Sequence, residues 1–513
     1  MTDNPVEPSL RPSITLANLP LSPALISAFG VLLITVIALF TAPYVGMADN
    51  GDFFRNIYSN GLYFNLPDYD SKYFGYFVKQ YGIYQYFNEN SAMLASSQSI
   101  FIKLAIGLNT LLFSSKVFDI RFQAAIYTVL YVIAIYLLIE SITWKMSRKQ
   151  GLVVAVIAIF MFGDTSYTAY FNSFYSESVV LIMMIFVFAS WLALYRKRYN
   201  DYVMLALFVV SSLILTTSKQ QNAPVGMIIA VLAIMLIWIR KDRIFRYLMI
   251  GSIALMMFAG VATYLNISKE FVDINQYHAM TRGMLNQSSN PETTLKSFGI
   301  NEQYAILQGS IYYEQYGTID VKSPILEQDF YSRYGFGSIL KYYVANPDQL
   351  SSILNIAAKS AFTIRPAAMG NYEESVGKEF RAHSHFFSLY SLLKEKLAPR
   401  TFAFIFIWML VVMALYMPSF VRAVKSRDFR GMQRMVLILA TIGVGLSGIF
   451  VSIIGAGDAD ISKHEFLFTL SFDLVTFLTL SSVISRRLSN KRQPVSSTTT
   501  SDYPAEAQKG VSA

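Results

Sequence analysis

Ser178-Val179-Val180-Leu181-Ile182-Met183-Met184-Ile185-Phe186-Val187-Phe188-Ala189-Ser190-Trp191-Leu192-Ala193-Leu194-Tyr195 carries no charge, and Arg196-Lys197-Arg198 follows it at once. As a helix this run would be about 27 Å long, close to the ~30 Å hydrocarbon core of a bilayer. A basic cluster directly after it marks the cytoplasmic end of a span. Similar apolar runs lie at 22–42, 120–141, 151–169, 202–217, 224–239, 247–265, 401–421, 433–455 and 466–485. With 178–195 they make about ten expected transmembrane helices, and the predicted fold class is an all-α polytopic membrane protein.

The composition agrees. Of 513 residues, 54% are hydrophobic and 15% charged, against ~25% charged in a soluble protein. The mean hydropathy is +0.41. Eighteen of the 42 Lys and Arg sit in alternate connections, at 145–149, 196–198, 240–246, 422–430 and 486–492. The net charge of +9 therefore reflects topology rather than nucleic-acid binding, and both termini are expected inside. The absence of cysteine excludes disulfides, Fe–S clusters, thiolate zinc sites and thiol nucleophiles.

The chain then divides into a cytoplasmic tail at 1–21, seven spans over 22–265 with a long outer connection at 43–118, a second outer connection at 266–400, three spans over 401–485, and a disordered inner tail at 486–513. The first apolar run lacks a following small-residue cleavage site and reads as a retained anchor. The first connection is rich in aromatics, from Phe53 and Phe54 to Tyr86 and Phe87, which suits a headgroup interface. Its end, Ser99 to Phe113, is interrupted by Lys103 and reads as an amphipathic helix lying on the membrane. Leu350 to Phe362 is a second amphipathic stretch. The chain has no convincing internal repeat, which weighs against inverted-repeat transporters.

Charges at the outer ends of the spans are the candidates for chemistry, because an ionised group near an apolar run is costly. Asp49-Asn50-Gly51-Asp52 follows the first span. Either carboxylate suits a general base, and the same string also suits a solvated Asn-Gly turn. Asp164 and Glu177 are the charges of the next outer turn, where Asp164 could equally cap a helix. Lys219 is a candidate phosphate ligand or a snorkelling lysine. Arg365 ends the amphipathic stretch, and His383 and His385 make a weak metal pattern. In the last outer turn Asp458 and Asp460 could hold a cation, and Lys463 and His464 a phosphate.

Three strings, Asp49-Asn50-Gly51-Asp52-Phe53-x-Arg55, Tyr170-Phe171-Asn172-Ser173-Phe174-Tyr175-Ser176-Glu177 and Gly457-Asp458-Ala459-Asp460-Ile461-Ser462-Lys463-His464, together with the acid-bearing first outer loop, resemble the GT-C class of membrane glycosyltransferases. More narrowly they resemble bacterial WsfD-type glycan hexosyltransferases. The resemblance implies a GT-C-like fold and transfer of a hexose from a polyprenyl-phosphate sugar, the co-substrate, to a cell-surface or lipid-linked glycan acceptor. It makes Asp49 or Asp52 the catalytic base, with Asn50 and Gly51 separating two acids that many members hold adjacent. Asp164 and Glu177 match the acidic second turn, and Lys219 and Arg365 fall where the class recruits donor-phosphate ligands. A divalent cation is compatible with the class. Inversion is expected, since one acid acts as base and a phosphate leaving group needs no general acid.

A solute transporter would share the helices but should show charges or breaks at mid-helix. A lipid-linked glycan polymerase or ligase would share the chemistry. A bacterial plasma membrane suits two large outer loops without cysteine, although Asn266-Ile267-Ser268 and Asn286-Gln287-Ser288 are formal glycosylation acceptors.

Overall fold

The computed structural model describes residues 21–86, 96–314, 317–458 and 461–487. The expected tails at 1–21 and 486–513 fall almost wholly outside these, as does Phe87.

A helix stands at each expected apolar run. Eight are long and apolar enough to cross a membrane: Pro23–Phe40, Arg121–Thr143, Glu177–Arg196, Gln220–Trp238, Arg243–Leu265, Phe402–Lys425, Phe429–Ala456 and Phe466–Ile484. Two runs depart from expectation. Asp201–Thr217 is one residue short of eighteen, and the run expected at 151–169 breaks. Its helix, Arg148–Phe162, ends at Gly163, and Thr165–Asn172 continues at 49° to it. The break occurs where Asp164 leaves the helix to cap the next turn, accepting from Ser166 N at 2.8 Å. Residues 163–175 are all buried, the condition under which irregular backbone survives at membrane depth.

Glu177–Arg196 is the axis of the bundle. Every side chain from Glu177 to Leu194 is buried, as expected for a helix apolar on all sides. It packs against Arg121–Thr143, Asp201–Thr217, Phe429–Ala456 and Phe466–Ile484. Arg243–Leu265 and Phe402–Lys425 lie at the edge, exposing large apolar side chains such as Tyr247, Phe258, Phe406 and Ile407. Arg243–Leu265 closes on Ala223–Ala233 through two glycines. A Cβ on Gly226 would lie 2.9 Å from Met256 O, and one on Gly260 2.8 Å from Ala223 O.

The outer connections fold back onto the bundle. Gln98–Leu112 buries Gln98, Phe101, Ala105 and Asn109 and exposes Ile100, Leu104, Leu108 and Leu111, the two-faced helix expected there. The aromatics of the first connection depart from the expected headgroup position. Phe53, Tyr69, Phe77 and Tyr81 are buried, and rings pack across segments, Phe53 on Tyr175 at 4.6 Å and Tyr81 on Phe174 at 5.0 Å. A small antiparallel sheet, Leu62–Tyr63, Gln80–Ile83 and Val117–Asp119, carries this layer. The second connection builds its own core around Tyr277, Phe330, Tyr334 and Ile353, seated on Ile449, Ile453 and Phe468 of the last two spans.

Candidate active site

After the first span the chain runs extended through Val45–Ala48, held on one side by Asn172 and on the other by Asn371. Asn172 Nδ2 donates to Val45 O at 2.8 Å and Asn371 Nδ2 to Gly46 O at 2.7 Å. The Asn-Gly turn then forms. Asp49 Oδ1 accepts from Gly51 N at 2.8 Å and Phe53 N at 3.1 Å, and Gly51 sits at φ +98°, where glycine alone is unstrained. Asp49 Oδ2 accepts from Tyr69 OH at 3.2 Å. The turn sets Asp52 at the head of Phe53–Ser59. The two acids thus divide: Asp49 is buried and fixes backbone, while Asp52 keeps 38% of its side chain exposed.

Asp52 meets the last outer turn, where its carboxylate accepts from Lys463 Nζ. Lys463 also lies over the ring of Tyr175, 4.8 Å from its centroid. Arg55 Nη1 approaches Asp52 at 3.5 Å, and its guanidinium stacks on Phe271 of the second connection at 4.0 Å. Tyr175 fastens the loop from below, its hydroxyl donating to Ala48 O and accepting from Asn50 N, each at 2.9 Å.

Beside this pair stands a second. Glu177 Oε1 accepts from Lys219 Nζ at 2.9 Å, and Glu177 Oε2 is buried with no hydrogen-bond partner. Gln221 clamps His464, its Nε2 donating to His464 O at 3.0 Å and its Oε1 lying 2.8 Å from Nδ1. Glu177, Lys219, Gln221, Lys463 and His464 line one small pocket of about 10 Å³, the room of a single water molecule.

The electrostatics follow. Burial pushes the Asp49 carboxyl up to about 6, against the pull of the Phe53 and Gly51 N–H groups. Burial acts upward on Asp52 too, but the Lys463 ammonium outweighs it and holds the group well below the usual carboxylate range. Burial, with Lys219 and Lys463 close by, keeps His464 far below its ordinary value, as a neutral imidazole.

Other expected site residues stand elsewhere. Asp164 is the capping residue of the alternative reading. Besides Ser166 N it takes Ser391 Oγ and Ser391 N, both at 2.9 Å, so both of its oxygens are bonded within the protein. Arg365 is buried apart from the lysine pair. Its Nη2 donates to Ser384 O at 3.0 Å, its Nη1 is without a partner, and it forms no ion pair among the described residues. Tyr170 stands between, its hydroxyl donating to Ile364 O at 3.1 Å and its ring facing Phe466 at 5.0 Å. Asp458 is a clasp, accepting from Arg282 Nε at 2.7 Å where Gly457 and Gly283 bring two backbones together. Asp460 lies outside the described residues. Among those residues no three His, Asp or Glu side chains converge as a metal cage requires.

Three contributions escape sequence reasoning. Gln221 carries no signal beyond being polar, and Arg55, although it closes the first of the three strings, is given no role by them. Glu465 is fully buried with neither oxygen hydrogen-bonded, and burial raises its carboxyl well above the usual range. Lys394 and Asp473 form a buried ion pair at 2.6 Å, two turns into the last span, with Tyr167 OH donating to Asp473 at 2.6 Å.

The chain belongs to the YfdI N-terminal transmembrane domain family, which matches residues 11–502. It is 22% identical over 371 residues to "Uncharacterized protein YfdI" of Escherichia coli (strain K12), across 71% of this chain and 75% of that relative.

Proposed function

We propose that this multi-pass membrane protein is a hexosyltransferase that takes a sugar from a polyprenyl-phosphate donor at the outer face of a bacterial plasma membrane and passes it, with inversion, to a cell-surface or lipid-linked glycan. The observation that carries this reading is the meeting of two carboxylate–lysine pairs, Asp52 with Lys463 and Glu177 with Lys219, from four distant stretches at one level of the bundle. The three strings that resemble GT-C enzymes supply Asp52, Glu177 and Lys463, and Lys219 is matched to the class by its location in an outer turn.

Asp52 is the base, because it is the acid with an exposed face. As an acceptor hydroxyl oxygen bonds to the anomeric carbon, its proton passes to Asp52 and the bond from that carbon to the phosphate oxygen breaks, its electron pair leaving on the phosphate. Lys463 and Lys219 are held by carboxylates until that phosphate arrives and then stabilise its growing charge. Asp49 positions Asp52 by fixing the turn. Arg365 is buried apart from the two lysines and would meet the donor, through its unpartnered Nη1, only where part of the donor lies beyond Tyr170.

Purified protein in nanodiscs, given a synthetic polyprenyl-phosphate hexose and a glycan acceptor, should release polyprenyl phosphate in step with product. Asp52→Asn should abolish release while retaining donor. A protein that binds no polyprenyl-phosphate sugar, or an Asp52→Asn variant that turns over normally, would sink the assignment. A donor bearing a long glycan tests the polymerase or ligase alternative. The transporter reading has two observations in its favour, the buried Asp473 inside the last span and the break at Gly163, and predicts flux of free solute into proteoliposomes, which the transferase reading does not. For orientation, cysteine at Ser375 should react with an impermeant reagent in intact cells, and cysteine at Arg243 should not.

A further inference from the structure

Of the residues lining the small pocket beside the Asp52–Lys463 pair, His464 takes no part in the transfer step described above. Its ring is set by Gln221. The amide of Gln221 can face His464 in one way only, because the main-chain oxygen of His464 accepts and never donates. The amide nitrogen therefore lies on that oxygen, at 3.0 Å. This leaves Gln221 Oε1, an acceptor, 2.8 Å from His464 Nδ1, and the proton of that contact belongs to the imidazole. Burial, with the ammonium groups of Lys219 and Lys463 close by, keeps the ring uncharged, so it carries no second proton. Nε2 then holds a lone pair, and it forms no hydrogen bond among the described residues. A phosphodiester oxygen, which also brings only lone pairs, finds no donor there. A hydroxyl finds an acceptor.

The pocket fixes the size of what enters. Its volume of about 10 Å³ holds a single water molecule, and Lys219 and Lys463 share its wall with His464. One hydroxyl group can take the place of that water; an acetamido group cannot. In a sugar joined to phosphate through its anomeric carbon, that carbon is flanked by the ring oxygen and by the carbon bearing the 2-substituent. The ring oxygen has no hydrogen to give. The 2-hydroxyl has one, and no other hydroxyl of the sugar is nearer to the phosphate. We propose, resting on the hexosyltransferase reading, that His464 is a specificity-determining residue: its Nε2 accepts a hydrogen bond from the 2-hydroxyl of the sugar whose phosphate lies on Lys219 and Lys463. The protein then takes hexoses with a free 2-hydroxyl and rejects 2-deoxy and 2-acetamido sugars. Gln221 is a positioning residue, holding the imidazole in the tautomer that accepts.

The test reads binding rather than turnover, because a 2-substituent also alters the strength of the bond being broken. The full chain in nanodiscs is titrated with a synthetic polyprenyl-phosphate hexose, its 2-deoxy analogue and its 2-acetamido analogue. The native chain should bind the hexose roughly tenfold more tightly than the 2-deoxy analogue, the usual worth of one hydrogen bond, and more tightly than the 2-acetamido analogue as well. His464→Ala should bind the hexose and the 2-deoxy analogue alike. Gln221→Glu keeps the imidazole but sets a carboxylate against Nδ1, which charges the ring and turns Nε2 into a donor, and it should level the two in the same way. Lys219→Ala should weaken both and keep their ratio. A native chain that binds the hexose no better than either analogue, or a preference that survives His464→Ala, overturns the assignment and leaves the transferase reading standing. A native chain that binds none of the three overturns both together. Should His464→Ala fail to fold, Gln221→Glu decides, and a preference kept there overturns the assignment.

Discussion

Tyr170 divides two groups of buried charge with the same kinds of residue and opposite condition. On one side Asp164 and Asp473 are saturated: Asp164 takes three donors from Ser166 and Ser391, and Asp473 takes Lys394 and Tyr167. On the other, Asp52 is paired but keeps an open face, and Glu177 leaves one oxygen without a partner. A buried carboxylate bonded through both oxygens by the protein holds the protein together. One left partly unused, next to a lysine, is available to something else.

The sharpest way to break the contrast is to remove a carboxylate from each side. Asp52→Asn should lower transfer by ~10²- to 10⁴-fold, the usual loss of a general base, with a loss of thermal stability limited to what Lys463 gives up when its carboxylate goes. Asp164→Asn should do the reverse, keeping transfer in the folded fraction and lowering thermal stability, since an amide cannot accept everywhere the carboxylate does. Turnover in purified protein and the melting midpoint, taken on the same preparations, check both. Exchange of the two outcomes would mean that saturation does not separate structure from chemistry here.

Next in size is the buried pair. Lys394→Met leaves Asp473 uncompensated inside the last span and should cost about 3 to 5 kcal/mol of stability. Lys394→Met with Asp473→Leu should recover most of it, because an apolar pair of similar volume suits this environment. Failure of the double variant to recover, with loss of transfer or transport at normal stability, would move Asp473 into the functional group.

Smaller effects are expected from the cations. Lys219→Ala and Arg365→Ala should each weaken binding of the polyprenyl-phosphate sugar by about 1 to 3 kcal/mol, measured in nanodiscs. Lys219→Ala also strips Glu177 of its cation and should lower turnover further. A loss on Lys219→Ala alone would confine the phosphate to the pocket side of Tyr170.

The helices were legible because a bilayer demands long apolar runs, a strong local signal. The break at Gly163 was not, because it depends on Asp164 meeting Ser391, 227 residues away. The site followed the same rule. Asp52, Glu177, Lys219 and Lys463 stand out singly as charges at outer ends of spans, but that Lys463 belongs to Asp52 is a fact of packing across 411 residues. Asp473 is one acid inside an apolar run, and nothing around it in sequence announces that Lys394 will reach it. The aromatics of the first connection read as interfacial because composition cannot distinguish a ring facing lipid from one facing another ring.

The least disturbing test concerns the two acids of the first loop and needs no substitution to begin. A base works only when ionised. Asp49 gains its proton as the pH falls through about 6, whereas Asp52 stays ionised far below that because Lys463 faces it. With Asp52 as base, transfer should be nearly level from pH 8 to 5, and Asp49→Asn should leave the profile's shape unaltered. A fall of tenfold per pH unit below 6 would make Asp49 the base instead. Stability gives an independent reading. A carboxyl with a raised value favours the folded state below its ordinary value of 3.8, and this contribution is lost as the pH rises through about 6. Between pH 4 and 6 Asp49 should therefore make the protein slightly less stable with rising pH, and Asp49→Asn should remove that slope. Asp52, with its lowered value, contributes the opposite slope only at more acidic pH, so the two acids can be told apart in one melting series.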